Sequence, residues 1–228
     1  MLKPNTTSDR LHLGCGLTAP PDWLNVDGSV QAYFARWPRI KSVLVKTGMY
    51  PRRQAEIPWP TNILCLDLRK SLPFSEGRFV AVYSSHTFEH LFHDDAVVLA
   101  KECYRVLKKG GIFRVVVPDL AAFVEDYQKR SLQTIGSDSA ADRLMEDLNV
   151  QPKSRPTGFL GLYHRLLGYH EHKWMYDAPS LRQLLLEAGF SDITHPLFQE
   201  GRLPGLQEIE KSSRVEKGAG VIAEGIKT

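Results

Sequence analysis

The stretch RLHLGCGLTAPPDWLNVDGS, residues 10–29, decides how this chain is read. Leu11, His12 and Leu13 run into Gly14-Cys15-Gly16, the pattern of a strand that stops in a tight turn. Pro20 and Pro21 follow, and a second short apolar run ends on Asp27. In a parallel α/β sheet, ligands bind outside the carboxyl ends of the strands. Glycines at 14 and 16 let the backbone approach such a ligand closely, and Asp27 returns beside them with a carboxylate suited to two ribose hydroxyls. Gly14, Gly16 and Ala19 formally fit G-x-G-x-x-A. That dinucleotide motif, however, needs a helix opening at the turn, and an acidic residue roughly 20 positions on. Pro20 and Pro21 leave little room for the helix, and Asp27 comes too early, so the turn suits a nucleoside without phosphates better than NAD. The plain structural reading, a tight turn with a capping aspartate, uses the same residues.

Outward from this stretch, strands and helices alternate. RLHLGC and WLNVD read as the first two strands, TNILCLDL as a third, FVAVYSS as a fourth, and GIFRVVVPDL as a fifth whose unbroken apolar run marks burial on both faces. DAVVLAKECYRVLKKGG reads as a helix with Lys108 and Lys109 at its end and Gly110 as its stop. PSLRQLLLEAGF reads as another, with Ser180 and Gln183 in capping-box spacing. DITHPLF and GVIAEGIK are candidate closing strands, and EIEKSSRVEKGAG between them reads as a polar connection. Two segments break the alternation. Residues about 29–60 mix Arg36, Arg39, Lys41, Lys46, Arg52 and Arg53 with Trp37, Tyr50 and Trp59; residues about 120–175 are irregularly helical and end in LLGYHEHKWMYD. Insertions of that length are often lids or binding elements.

Composition narrows the choice. A chain of 228 residues with 43% hydrophobic content supports one sizeable core, hence a single domain over 1–228 with these two insertions. The formal net charge of +3, without a long basic block, makes no case for nucleic acid. Cys15, Cys65 and Cys103 form no CxxC pair and read as small core residues. There is no apolar signal core at the N-terminus and no run of membrane length, so a soluble, cytoplasmic protein is expected.

LHLGCG, NVD, LDL…LPF, VYSSHTFEHL and YRVLKKGGIFRVVVPDL, in this order, resemble class I S-adenosylmethionine-dependent methyltransferases. The likeness is greatest to small, mostly uncharacterised bacterial members, which share HKWMYD…SLRQLLLEAGF. The resemblance implies a Rossmann-like fold, a mostly parallel seven-stranded sheet with helices on both faces, and S-adenosylmethionine as cofactor. It implies that Gly14, Cys15 and Gly16 pass the methionine part, that Asp27 holds the ribose, that Asp67 and Leu68 sit at the adenine, and that Ser85 and His86 lie under the sulfonium. It also implies a small or glycan-type acceptor, of the kind found in surface-polysaccharide biosynthesis. The alternative is a catalytically silent binding subunit of the same fold.

Methyl transfer from a sulfonium is an in-line displacement in which alignment supplies much of the rate. An oxygen or amine acceptor also benefits from a base titrating near neutrality. His86, after the fourth strand, and Asp119, ending the fifth, are the candidate catalytic residues. Each has a structural reading beside it: His86 caps a helix beginning near TFEHL, and Asp119 is the N-cap of LAAFVEDYQ. In an extended YHEHKWMYD, alternate side chains place His170, His172, Trp174 and Tyr176 on one side, as a candidate acceptor wall. His86, His90 and His93 are suggestively spaced, but they are not HExxH, and no metal is expected. The basic-aromatic insertion suits a phosphate-bearing acceptor, such as a nucleotide sugar or lipid-linked glycan, or else is a solvated loop.

Overall fold

The computed structural model describes residues 3–133, 139–150, 171–215 and 220–228. Its strands are β1 (Arg10–Leu13), β2 (Leu24–Asp27), β3 (Ile63–Cys65), β4 (Phe79–Ser85), β5 (Leu107–Val117), β6 (Ser191–Thr194) and β7 (Val221–Ile226). They form one sheet in the order β3-β2-β1-β4-β5-β7-β6. The first five pair in parallel, and β7 enters antiparallel between β5 and β6. This is the mostly parallel, Rossmann-like, seven-stranded sheet expected from the sequence.

Alternate residues of the central strands serve two apolar layers. Leu11, Leu13, Val82, Phe113, Val115 and Val117 join a core shared with α4 (His93–Val106) and α7 (Ala178–Glu187). Ala81, Tyr83 and Val116 face the other way, onto Trp23, Leu203, Leu206 and Ile209. The last two of these belong to the one-turn helix α8 (Leu206–Ile209).

α4 buries Ala96, Leu99, Ala100, Cys103 and Val106, one stripe at helical spacing, and has Asp94 and Asp95 in its first turn. It stops before the residues read as its end. Leu107 is extended, fully buried and paired with Phe79, so Lys108 and Lys109 lie on β5 and are exposed. Burying Leu107 in the sheet outweighs one more helical turn. The cap of α7 is also shifted: Asp177 is the N-cap, and its reciprocal partner is Ser180, so the capping box lies three residues earlier than Ser180–Gln183.

The segment at about 29–60 is helical rather than a loop. It contains α1 (Val30–Arg36), capped by Ser29, then α2 (Pro38–Lys46), opened by Pro38, and α3 (Arg52–Ala55). Within residues 120–175 lie α5 (Leu120–Gln133) and α6 (Ala140–Leu148); residues 151–170 are outside the described ones. No helix among the described residues is long and apolar enough to cross a membrane.

β5 carries one charge inside its apolar run. Arg114 is fully buried and forks onto Glu210 with two bonds of 2.8 Å, while a third nitrogen donates to Glu224 at 2.9 Å. The same guanidinium donates to the carbonyls of Glu200 and Leu197. The carboxylates in turn accept from the backbone N–H groups of Gln199 and Arg202. This network fastens residues 197–210 to the sheet, and with them one wall of the cavity described next.

Candidate functional site

The ends of β3, β2, β1 and β4 lie in a row along the carboxyl edge of the sheet, bordering a cavity of about 540 Å³. Gly14, Cys15, Gly16, Asp27, Asp67, Leu68, Ser85 and His86 all line it. The size suits a nucleoside-type ligand.

The glycine turn is held from below by Asp27. Its Oδ2 accepts from the Gly16 N–H at 2.8 Å and its Oδ1 from the Ser29 N–H at 2.7 Å, while the Cys15 N–H donates to the Val26 carbonyl. One carboxylate thus shapes the turn and opens α1, and each oxygen retains lone-pair capacity toward the cavity. Gly14 and Gly16 both have positive φ, 64° and 53°. A Cβ at Gly14 would stand 1.8 Å from Thr87 Oγ1, whereas one at Gly16 would meet nothing within 4 Å. Burial pushes the Cys15 thiol up, so it is a neutral wall.

Asp67, just past β3, is gripped by Arg69: Nε and Nη2 each donate at 2.9 Å, and the Arg69 N–H at 3.1 Å. These bonds hold its carboxyl below the usual range. Leu68 beside it is buried in the core.

Among the cavity residues that escaped the sequence reading are two from the central strands. His12 and Tyr83 project from β1 and β4 toward the second apolar layer, with ring centroids 5.4 Å apart. Burial lowers the His12 pKa to about 3, so the imidazole is neutral, and raises that of Tyr83. Among the described residues, His12 Nδ1, Tyr83 Oη and Ser85 Oγ are buried without a hydrogen-bond partner. The parity of strand residues was the available signal, since His12 and Tyr83 sit between residues of the main core.

The opposite wall is Ile209, Lys211, Ser213 and Arg214. This corrects the reading of EIEKSSRVEKGAG as a mere connection: its first part forms α8 and a 3-10 turn, Ser212–Arg214, over the sheet. Leu203, Leu206 and Ile209, three apart, anchor it in the second layer.

His86 lies in the left-handed region at φ 52° and does not cap a helix. Thr87 holds the N-cap position of the 3-10 turn Phe88–His90. The His86 ring bridges instead, with Nε2 3.0 Å from the Arg214 carbonyl and Nδ1 3.3 Å from Glu89 Oε1. Asp119 accepts from the Ala121 N–H at 3.0 Å as the cap of α5 and does not line the cavity. His172 packs on His90 with centroids 5.1 Å apart, Trp174 on His93 at 5.0 Å, and Tyr176 is buried in the core. His172 and Trp174 therefore face the 88–93 segment and Tyr176 the core, and none of the three lines the cavity. His170 lies outside the described residues.

Residues 11–115 match the family described as a methyltransferase domain. No curated protein sequence matches the chain. Among solved structures, the chain is similar to an SAM-dependent methyltransferase from Thermotoga maritima: identity is 21%, coverage 96% of this chain and 82% of that one, and TM-score 0.47. It is also similar to an SAM-dependent methyltransferase from Archaeoglobus fulgidus, with 14% identity, coverage of 97% and 87%, and a TM-score of 0.46.

Proposed function

We propose, from the match of residues 11–115 to a methyltransferase domain, that the chain is an S-adenosylmethionine-dependent methyltransferase whose acceptor is a small, glycan-type molecule bearing an anionic group. The observation that carries this reading is the make-up of the cavity wall. Lys211 and Arg214 line it beside His86, and neither forms an ion pair with a carboxylate among the described residues. The Asp27 and Asp67 carboxylates line the part nearer β2 and β3.

In this reading the cofactor lies along the row of strand ends. Asp67 and Leu68 take the adenine, Asp27 the ribose hydroxyls, Gly14–Gly16 the methionine part, and Ser85 the neighbourhood of the sulfonium. The open face of Gly16 and the row of lining residues support that placement. The acceptor sits under Lys211 and Arg214, whose charge binds a phosphate or carboxylate and favours loss of the acceptor's proton. Bound there, S-adenosylmethionine would supply the methyl group, the acceptor's oxygen or nitrogen would take it and give up its proton to solvent, and S-adenosylhomocysteine would be released. The His86 ring is held through Nε2 by the Arg214 carbonyl and turns Nδ1 toward the buried Glu89, so it orients the wall. Asp119, which caps α5, has no catalytic part.

Labelled cofactor offered with nucleotide sugars, sugar phosphates and surface-polysaccharide precursors, followed by mass spectrometry, tests the acceptor class. Lys211→Ala and Arg214→Ala are expected to raise the acceptor KM while cofactor affinity stays within about twofold. Calorimetry with S-adenosylhomocysteine tests the cofactor half: Asp27→Ala is expected to lose about 1.5–3 kcal/mol of binding. Unchanged affinity in that variant removes Asp27 from the ribose, and methylation of neutral sugars alone removes the anionic acceptor.

A further inference from the structure

Behind the His86 wall lies a group of side chains that the methyl-transfer reading leaves unused. Glu89 is fully buried, and neither of its carboxylate oxygens has a hydrogen-bond donor among the described residues. Around it stand three imidazoles. His86 Nδ1 is 3.3 Å and His90 Nε2 3.9 Å from Glu89 Oε1, and His172 packs against His90.

The proton positions follow from the other ends of the rings. The Arg214 carbonyl can only accept, so His86 Nε2 carries its hydrogen; the Glu171 carbonyl, 3.2 Å from His90 Nδ1, likewise takes the hydrogen of that nitrogen. Where they carry no hydrogen, the nitrogens left over, His86 Nδ1 and His90 Nε2, turn lone pairs toward a carboxylate that offers only lone pairs of its own. Nδ1 of His172 is buried there without a partner as well. An enclosed carboxylate ringed by lone pairs is costly unless a cation joins them.

We propose that Glu89, His90 and His172 bind a first-row divalent metal ion of the zinc type, with His86 on the cavity side and room for one ligand from the cavity. One ligating atom from each of the three lies within 4.8 Å of the others. Around a tetrahedral zinc with bonds of about 2.0–2.2 Å, ligand atoms stand about 3.4 Å apart, so only small side-chain movements are needed. The nitrogen-rich set favours such ions over magnesium or calcium. The carbonyl of Glu171 behind His90 is the kind of outer partner that fixes a ligating imidazole. Sequence spacing had suggested His93, but that ring is turned onto Trp174; the needed carboxylate is Glu89, and the distant partner His172 arrives through the fold. His86 and His90 line the cavity, so an ion here would face an acceptor oxygen. That last role rests on the methyl-transfer reading, whereas metal binding does not.

The test uses the full chain without a polyhistidine tag, stripped with a chelator and dialysed against Zn²⁺ or Co²⁺. One ion per chain is expected by elemental analysis, with a tetrahedral or five-coordinate Co²⁺ visible spectrum, and Mg²⁺ at equal concentration should not displace it. Glu89→Gln and His172→Ala are each expected to weaken binding by at least about 100-fold, with S-adenosylhomocysteine binding as the check that each variant is folded. His172→Ala, on a half-buried surface residue, keeps the test open if Glu89→Gln does not fold. No stoichiometric binding, or binding that folded variants leave unchanged, overturns the site. Loss of cofactor binding by the unmodified protein, with metal binding intact, would instead count against the methyltransferase reading.

Discussion

Gly14 and Gly16 pass through the same left-handed region, yet they answer different demands. At Gly14 the limit is the protein itself, because a methyl group would overlap Thr87; at Gly16 nothing of the protein is near. Gly14→Ala is therefore expected to cost stability without any ligand, by about 1–3 kcal/mol. Gly16→Ala should carry only the backbone cost of about 1–2 kcal/mol and show its main effect on S-adenosylhomocysteine affinity. Urea denaturation of the ligand-free variants, set beside calorimetry, separates the two, and equal stability losses would mean that Thr87 yields. At this scale the sequence was legible wherever one residue type answers one backbone need. Gly14, Gly16 and Asp27 stood out by spacing alone. Glu89, Lys211 and Arg214 did not, because their neighbours come from distant parts of the chain; His172 stood out by alternation, but for the acceptor wall rather than for the place beside His90 that the fold gives it.

Among elements, β5 shows how much a pattern reveals and where it stops. Its β-branched run identified a strand buried on both faces, and Arg114 lies within that run. An arginine within such a run requires buried carboxylates, and these arrive from Glu210 and Glu224. Arg114→Met is expected to destabilise the protein by about 3–5 kcal/mol, because it leaves two buried carboxylates unneutralised. Replacing all three residues by apolar ones of similar volume should recover much of that loss. Chemical denaturation of the single and triple variants checks both, and a single variant as stable as the parent would show that water reaches the pair. Boundaries were less legible than existence. The end of α4 and the cap of α7 were decided by sheet pairing at Leu107 and by the local geometry at Asp177, neither of which helical periodicity encodes.

Over the whole molecule, His12 and Glu102 are the two groups with the largest downward shifts among those that shape the response to acid. Burial lowers His12 from 6.5 to about 3, and its folded form refuses a proton that the unfolded chain accepts. Stability from this group is complete above pH 6.5 and declines as pH falls toward 3, with a slope approaching about 1.4 kcal/mol per pH unit. Glu102, bonded by Arg105, Leu72 and Ser71, is lowered from 4.5 to about 2, chiefly by Arg105. Its contribution is complete above pH 4.5 and is lost as pH falls toward 2. Urea midpoints measured from pH 7.5 to 3 should decline in two stages, and Glu102→Gln should flatten only the lower one; a flat profile between 6.5 and 4.5 would mean that His12 is wetter than its surroundings suggest. The arginine that anchors the cavity wall also imposes an order in time. Arg114 and Glu224 are 110 residues apart along the chain, so during synthesis the central strand leaves the ribosome long before β7 can flank it. Until then Arg114 lacks Glu224, the neighbouring edge of β5 is open, and the wall bearing Lys211 and Arg214 has yet to be laid down. Closure of the sheet and completion of the pocket are thus deferred to the same late, long-range event, which favours slow folding and a need for protection of the nascent chain.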